Sequence, residues 1–97
     1  MQFVQVIEYK TSRHDEVDKL TENWLAETEG RRTAQEAIVC VDRDRPNTYV
    51  TIVQFDSYEA AMKNSQMPET SAFAEQMAKL CDGPPKFLNL DVQRVDS

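Results

Sequence analysis

A strand that is apolar on both faces constrains this chain more than any other feature. Residues 49–55, YVTIVQF, are strand formers, and only Thr51 and Gln54 interrupt the apolar pattern. A strand of this kind needs cover on both sides. Since the chain has only 97 residues, we expect part of that cover to come from a second copy of the chain.

A helix follows this strand at once and is predicted to be broken. Asp56 and Ser57 are typical N-cap residues, and Glu59 has the spacing of a capping box with Asp56. Pro68 has no backbone N–H to donate. The first helix is therefore predicted to stop near Gln66, and a second to begin with Pro68 in its first turn.

The remaining segments alternate between strand and helix patterns. Gly30 and Gly83 each follow a helix pattern, where a positive φ is required. A polar turn at 42–47 connects two strands that are too close in sequence for a crossover, so they should pair antiparallel. Strands are predicted at 3–9, 34–41, 49–55 and 86–95, and helices at 12–29, 57–66 and 68–80.

This order is β-α-β-β-α-β, which predicts an α+β, ferredoxin-like fold in one domain spanning 1–97. Both crossovers should place their helices on one face of a four-stranded antiparallel sheet. No strand has a clearly polar side, so the other face is predicted to pair sheet-to-sheet in a homodimer.

Composition and charge exclude several classes of function. The net charge is −6, and the largest basic cluster is the pair Arg31–Arg32, so we expect no nucleic-acid partner. No apolar run is long enough to cross a membrane, and the opening strand lacks the basic start of a signal peptide. Cys40 and Cys81 have no paired spacing and are expected to be reduced thiols in a cytoplasmic protein.

The joint between the third strand and the second helix resembles that of the antibiotic biosynthesis monooxygenase-like proteins, in the dimeric α+β barrel superfamily. Short uncharacterised actinobacterial proteins are similar in further runs. The joint consists of Phe55-Asp56-Ser57-Tyr58-Glu59-Ala60, followed by Asn64 and Pro68. The further runs are the opening FVQVI, Asn64-Ser65-Gln66-Met67-Pro68-Glu69 and Leu80-Cys81-Asp82-Gly83.

The resemblance implies a dimeric barrel and, in one branch, oxidation of a quinol-like substrate without a cofactor. Many superfamily members have a histidine where this chain has Asn64. The haem-degrading branch takes a Trp and a His from the second-helix region, whereas here Trp24 and His14 belong to the first helix. We therefore expect no haem and no other cofactor.

Six side chains are the candidate ligand-binding residues, and each also has a simpler structural role. Trp24 lies on the apolar face of the first helix, where it either packs in the core or points its indole N–H at a ligand. Asn64 either braces the break before Pro68 or donates a hydrogen bond at a pocket. The set is Trp24, Asn64, Tyr49, Gln54, Tyr58 and Phe73.

Other polar residues are assigned no site. Gln5, Gln54 and Gln93 interrupt strands, so one of them could face a cavity, although exposure at a sheet edge is the simpler interpretation. His14 is followed by Asp15 and Glu16, but consecutive helix residues point in different directions, which favours a solvated helix start over a metal site. Asp42 and Asp44 are expected to form a polar hairpin turn.

Two functions remain open from the sequence. The first is a cofactor-free enzyme that binds or oxidises a small aromatic molecule between helices and sheet. The second is a non-catalytic dimeric module that binds a small apolar ligand or a protein. A polar cavity in that space favours the first, and one filled by Trp24, Phe73, Met77 and Leu20 favours the second.

Overall fold

A computed structural model of the chain describes residues 2–97, in four strands and three helices. The order β-α-β-β-α-α-β confirms the predicted sequence of elements, with the second helix divided in two. The elements are β1 (Phe3–Lys10), α1 (His14–Thr28), β2 (Glu36–Val41), β3 (Thr48–Phe55), α2 (Tyr58–Ser65), α3 (Pro68–Leu80) and β4 (Lys86–Asp91).

The four strands form one antiparallel sheet in the order β2-β3-β1-β4, which confirms the α+β ferredoxin-like fold. The two long strands are central: β1 pairs with β3 from Phe3↔Phe55 to Lys10↔Thr48. β2 and β3 form the predicted antiparallel hairpin. Asn47 ends its turn at φ +58°, a left-handed conformation that asparagine tolerates better than most residues.

The break between α2 and α3 follows the predicted chemistry. Ser57 is the N-cap of α2, and its hydroxyl accepts a hydrogen bond of 3.1 Å from the Ala60 backbone N–H. Pro68 occupies the first turn of α3, where its missing N–H costs nothing. The capping box predicted for Asp56 and Glu59 is not formed, because Ser57 rather than Asp56 is the cap.

Three predicted boundaries are wrong. α1 begins after Arg13, and within residues 2–97 no side chain caps it, although the sequence pattern predicts Thr11 or Ser12 as the cap. The Thr11 hydroxyl instead accepts the Arg13 N–H at 3.0 Å. β2 begins at Glu36 and β4 ends at Asp91, because each has a partner strand on one side only and ends where that pairing ends.

The sheet has a covered side and an uncovered side. Alternate residues of β1, from Phe3 to Tyr9, pack under the three helices. The intervening residues point away from them. These apolar residues, called the open face below, are Val4, Val6, Ile38, Val50, Ile52, Leu88 and Leu90.

Three residues of the open face are more than two-fifths exposed: Ile38 (42 %), Leu88 (44 %) and Leu90 (43 %). An uncovered apolar surface across a whole sheet is unusual for a soluble chain that works alone. No helix among residues 2–97 is long and apolar enough to cross a bilayer.

Candidate functional site

The covered side of the sheet has apolar packing at both ends and polar groups in its middle. Phe3, Phe55 and Ala61 form one buried cluster, and Tyr9, Val17 and Met77 form another. On β1 the residue between these clusters is Gln5, since Ile7 packs against the second cluster. A protein core of this size is ordinarily one continuous apolar cluster, so the gap between the two clusters marks a candidate site.

Gln5 and Asn89 form the polar middle of the covered side. The Gln5 Nε2 donates to Asn89 Oδ1 across 3.2 Å between neighbouring strands. Gln5 is half-buried and Asn89 is exposed. Of the three strand glutamines considered from the sequence, Gln5 is therefore the one beneath the helices, whereas Gln54 lies on the opposite side of the sheet.

Asn64 is the most unusual residue on the covered side. It is one turn beyond Ala61 on α2 and only 7 % exposed. Within residues 2–97 its side-chain Oδ1 is buried and has no hydrogen-bond partner. Leaving a buried polar atom unpaired costs about 1–3 kcal/mol, so the site is one that a donor from outside the chain would stabilise.

Trp24 joins α1 to α3. Its indole Nε1 donates to Thr70 Oγ1 at 2.9 Å, and its ring packs on Phe73 with centroids 6.2 Å apart. The Arg32 guanidinium lies 5.8 Å above the same ring, a cation–π contact. The indole N–H is thus used by the protein itself, and Trp24 meets Phe73 as a helix–helix contact.

Tyr49 belongs to an aromatic stack at the other end of the covered side. The His14 ring lies parallel to Tyr49 with centroids 3.9 Å apart, and Tyr9 lies 5.6 Å from Tyr49. His14 Nε2 is 3.3 Å from the Tyr9 hydroxyl, and His14 Nδ1 is 3.5 Å from an Asp18 carboxylate oxygen. The expectation of a solvated His14 is therefore wrong, because the ring packs against the sheet.

The structure does not bring the six candidate residues into one site. Trp24 and Phe73 are in contact, and Asn64 is buried on α2. Tyr58 is half-exposed and packs edge-on against Phe3 at 5.5 Å. Tyr49 lies at the far end of the sheet and Gln54 on its other side. Sequence spacing could not decide this, since it places residues on faces of elements rather than next to each other.

Two open depressions lie at the Lys10–Thr48 end of the sheet. One, of about 390 Å³, is bordered by Tyr9, Lys10 and Arg45 among others. The second, of about 450 Å³, is bordered by residues at the start of α1, including His14, and by Tyr49. The second exposes one edge of the aromatic stack to solvent.

Burial controls two titrating groups in this region. Burial raises the pKa of the Tyr9 phenol, and hydrogen bonding from Thr51 opposes this only in part. Burial likewise raises the pKa of the Cys81 thiol. Within residues 2–97, no three His, Cys, Asp or Glu side chains converge as a metal site would require.

His14 with Tyr9 is the pair that the sequence analysis missed. The signal was present in two parts: a histidine and an aspartate at i and i+4 on α1, and a tyrosine at the end of β1 five residues before the histidine. Only the turn at 11–13 determines that the His14 ring faces the strand.

Solved structures with the same fold cover nearly the whole chain. A candidate antibiotic biosynthesis monooxygenase from Caulobacter crescentus superposes with a TM-score of 0.82 at 14% identity, over 96% of this chain and 91% of that one. SnoaB, a cofactor-independent oxygenase from Streptomyces nogalater, gives 0.80 at 14% identity, over 97% and 95%. Rv0793 from Mycobacterium tuberculosis gives 0.80 at 12% identity, over 100% of both chains.

This chain has the fold of the antibiotic biosynthesis monooxygenase-like proteins. The predicted resemblance is confirmed at the level of structure, at sequence identities that establish the fold alone. No family profile matches the sequence. No curated protein matches it either. A particular similarity to actinobacterial proteins stays a prediction.

Proposed function

We propose that this chain binds a small quinol-like aromatic molecule between its helices and sheet and oxidises it with dioxygen, without a cofactor. The observation that carries the proposal is the buried Asn64 Oδ1 without a partner. A phenolic hydroxyl is a donor of suitable size and polarity to supply the missing hydrogen bond, and an aromatic ring would fit the apolar surroundings.

The polar middle of the covered side supports the same ligand class. Gln5 is half-buried on the covered side of β1, where a purely structural core would place an apolar side chain. The likeness to SnoaB, described as a cofactor-independent oxygenase, supports the reaction type. The proposed ligand-binding residues are Asn64, Trp24, Phe73 and Tyr58, of which Asn64 has the strongest structural support. Of the other two candidates, Tyr49 lies at the far end of the sheet and Gln54 on its other side, so both are outside this proposed site.

The proposed reaction balances without an added reductant. A hydroquinone gives up two electrons on becoming a quinone, and it gives up two more electrons when one oxygen atom is inserted into a ring C–H bond. Dioxygen accepts all four electrons: one oxygen atom becomes the new hydroxyl and the other leaves as water. The protein needs only to bind the ring, exclude water and accept the phenolic proton before oxygen reacts.

We also propose that the chain works as a homodimer that pairs its open faces into a barrel, in the cytoplasm. The apolar residues of the open face support the dimer. Two free cysteines, one of them exposed, fit a reducing compartment.

The runner-up is a non-catalytic dimeric module that binds a small apolar ligand or a protein. The contact of Trp24 with Thr70 and Phe73 favours this second function, because the indole N–H is already hydrogen-bonded inside the protein and is not free to bind a substrate. The same contact would also be present in an enzyme whose substrate lies nearer Asn64, so we place this function second.

Replacing Asn64 by leucine separates the two functions. Asn64→Leu should weaken binding of naphthohydroquinone about tenfold, the value of one lost hydrogen bond, as measured by calorimetry without oxygen. Oxygen uptake above the uncatalysed background, measured at low substrate concentration, should fall by a similar factor. The same variant should raise the free energy of unfolding by about 1 kcal/mol, because it removes an unpaired buried amide.

The matched control is Asn23→Leu, on the exposed side of α1. It has the same gain in helix propensity but removes no buried group, so both binding and uptake should stay unchanged. Binding without oxygen uptake by the wild-type protein would favour the non-catalytic module. If the wild-type protein shows no binding and no oxygen uptake, both proposals about the ligand are wrong.

A further inference from the structure

We infer that the open face docks on a second copy of the chain with the strands of the two sheets crossing at about 90°, so that Lys86 of each copy forms an ion pair with Glu36 of the partner subunit. This inference rests on the proposed homodimer and goes beyond it, because it specifies how the two sheets are oriented. It can be tested without any ligand.

Four residues mark the corners of the sheet on its uncovered side. The strand register places Glu36 and Leu90 at the two ends of one row across the sheet, and Cys40 and Lys86 at the two ends of another. Glu36 and Cys40 are on the edge strand β2, and Leu90 and Lys86 are on the edge strand β4. Glu36 and Lys86 are therefore at diagonally opposite corners, with the apolar open face between them.

The two charged corners have no partner in their own chain. Glu36 and Lys86 are both exposed, and neither takes part in the ion pairs within 4 Å that residues 2–97 form. Glu8, the neighbour of Lys86 on β1, is paired with Arg45 at 3.1 Å instead. One negative corner and one positive corner make this surface electrostatically complementary to a second copy of itself.

The four corners form nearly a square. Three spacings between strands come to about 14 Å, and so do four residues along a strand. A two-fold axis along a diagonal of this square therefore brings its corners into register as well as an axis along or across the strands does. A diagonal axis turns the strands of one sheet by about 90° relative to the other, and orthogonal packing is one of the two usual arrangements of facing sheets.

Four axes map such a square onto itself, and only one of them pairs the opposite charges. An axis along the strands places Lys86 opposite the partner's Cys40, and an axis across the strands places it opposite the partner's Leu90. The diagonal through Lys86 and Glu36 places like charges together. These three arrangements remove charges from water without a partner, which costs free energy.

The remaining axis is the diagonal through Cys40 and Leu90. It places Lys86 opposite the partner's Glu36, and it does so twice in each dimer because the two-fold axis repeats every contact. Charge complementarity therefore selects this orientation.

The selected axis also makes an independent prediction about Cys40. Because the axis passes through its corner, the two copies of Cys40 face each other at about 10 Å, the usual spacing of packed sheets. Each of the other three axes displaces the two cysteines by about 14 Å or more within the plane of the sheet. Cys40 is an exposed free thiol, whereas Cys81 packs against the cluster beneath α1 and α3.

The first test exchanges the two charges in the full-length protein. Glu36→Lys and Lys86→Glu should each raise the Kd of the dimer about tenfold in sedimentation equilibrium, because two attractive contacts per dimer become repulsive. The double variant Glu36→Lys/Lys86→Glu restores both pairs with reversed sign, so its Kd should return to within about threefold of the wild-type value.

Matched controls separate this contact from a general effect of net charge. Glu22→Lys and Lys19→Glu make the same two changes of net charge on the exposed side of α1 and should leave the Kd unchanged. Circular dichroism shows whether each variant is folded.

The second test links the two copies of Cys40. A short bis-maleimide with a reach near the spacing of packed sheets should join the wild-type protein into covalent dimers, which a denaturing gel detects. Cys81→Ser should be linked to the same extent, and Cys40→Ser should not be linked.

The outcomes separate the orientation from the homodimer itself. A wild-type protein that sediments as a monomer would leave the open face to another partner, which overturns both. A dimer that tolerates either single charge reversal, or that the double variant does not restore, overturns the orientation and leaves the homodimer standing. A dimer that is not linked through Cys40 likewise overturns the orientation alone.

Discussion

Small buried polar residues determine how the loops of this protein close. Thr11 and Thr28 are fully buried at the two ends of α1. The Thr28 hydroxyl donates to the Trp24 carbonyl at 2.6 Å, and the Thr11 hydroxyl donates to the Leu80 carbonyl at 2.6 Å. Thr11 thereby joins the start of α1 to the end of α3, and its backbone N–H also donates to Asn47 in the hairpin turn.

Replacing Thr11 tests this junction at the level of one hydroxyl. Thr11→Val has nearly the same shape but leaves the Leu80 carbonyl and the Arg13 N–H unpaired, so it should lower the free energy of unfolding by about 1–3 kcal/mol. Thr11→Ser keeps the hydroxyl, so its free energy of unfolding should fall distinctly less. Urea unfolding followed by circular dichroism measures both, and equal losses would show that the methyl group matters rather than the hydrogen bonds.

Capping contacts decide where each helix begins. Two serines illustrate this, because one caps its helix and the other does not. Ser57 has extended backbone (φ −159°, ψ 167°) and accepts a hydrogen bond from the first turn of α2. Ser12 precedes α1 in an equivalent sequence context, but Arg13 is the N-cap there. Thr11 binds the Arg13 N–H, so the chain turns one residue later than the sequence pattern indicates.

Alanine substitutions should separate these two serines. Ser57→Ala removes a helix cap and should lower the free energy of unfolding by about 1 kcal/mol. Ser12→Ala should change it by less than about 0.5 kcal/mol, as is usual for an exposed residue without a special contact. Thermal and urea unfolding of both variants measure the difference. Equal effects would mean that Ser12 stabilises α1 in a way that the structure does not show.

At the scale of the whole molecule, the sheet has one covered side and one uncovered side. The helices cover only the side that carries Phe3 and Tyr9, and the open face has nothing over it in a single chain. Burying apolar area gains about 25 cal/mol per Å², so two open faces that meet would stabilise each other substantially. This is the physical basis of the proposed homodimer.

Two exposed leucines provide a matched test of the dimer. Leu88 on the open face is 44 % exposed and Leu25 on α1 is 41 % exposed. Aspartate at either position should therefore lower the free energy of unfolding of a single chain by a similar amount. Leu88→Asp should convert the dimer to monomer in sedimentation equilibrium, because it would bury an unpaired charge between two sheets. Leu25→Asp should leave the dimer intact. A wild-type protein that sediments as a monomer would contradict the proposal directly.

The sequence by itself determined the order of elements, the fold class and the position of the helix break. These follow from local physics: period-two alternation for strands, amphipathic spacing for helices, a proline that cannot donate an N–H, and glycines at Gly30 and Gly83 that have φ of +80° and +99°. The spacing of Phe73, Met77 and Leu80 is that of one helix face, and the three pack in one cluster.

Only the tertiary structure decided which side chains meet. Trp24 donates to Thr70 forty-six residues away, and Gln5 pairs with Asn89 across two strands that are distant in sequence. His14 was interpreted from its neighbours as solvated, yet it stacks on Tyr49 because a turn and the sheet register bring them together. Such contacts depend on where elements pack against each other. The local sequence pattern carries no information about which residues that are distant in sequence come into contact.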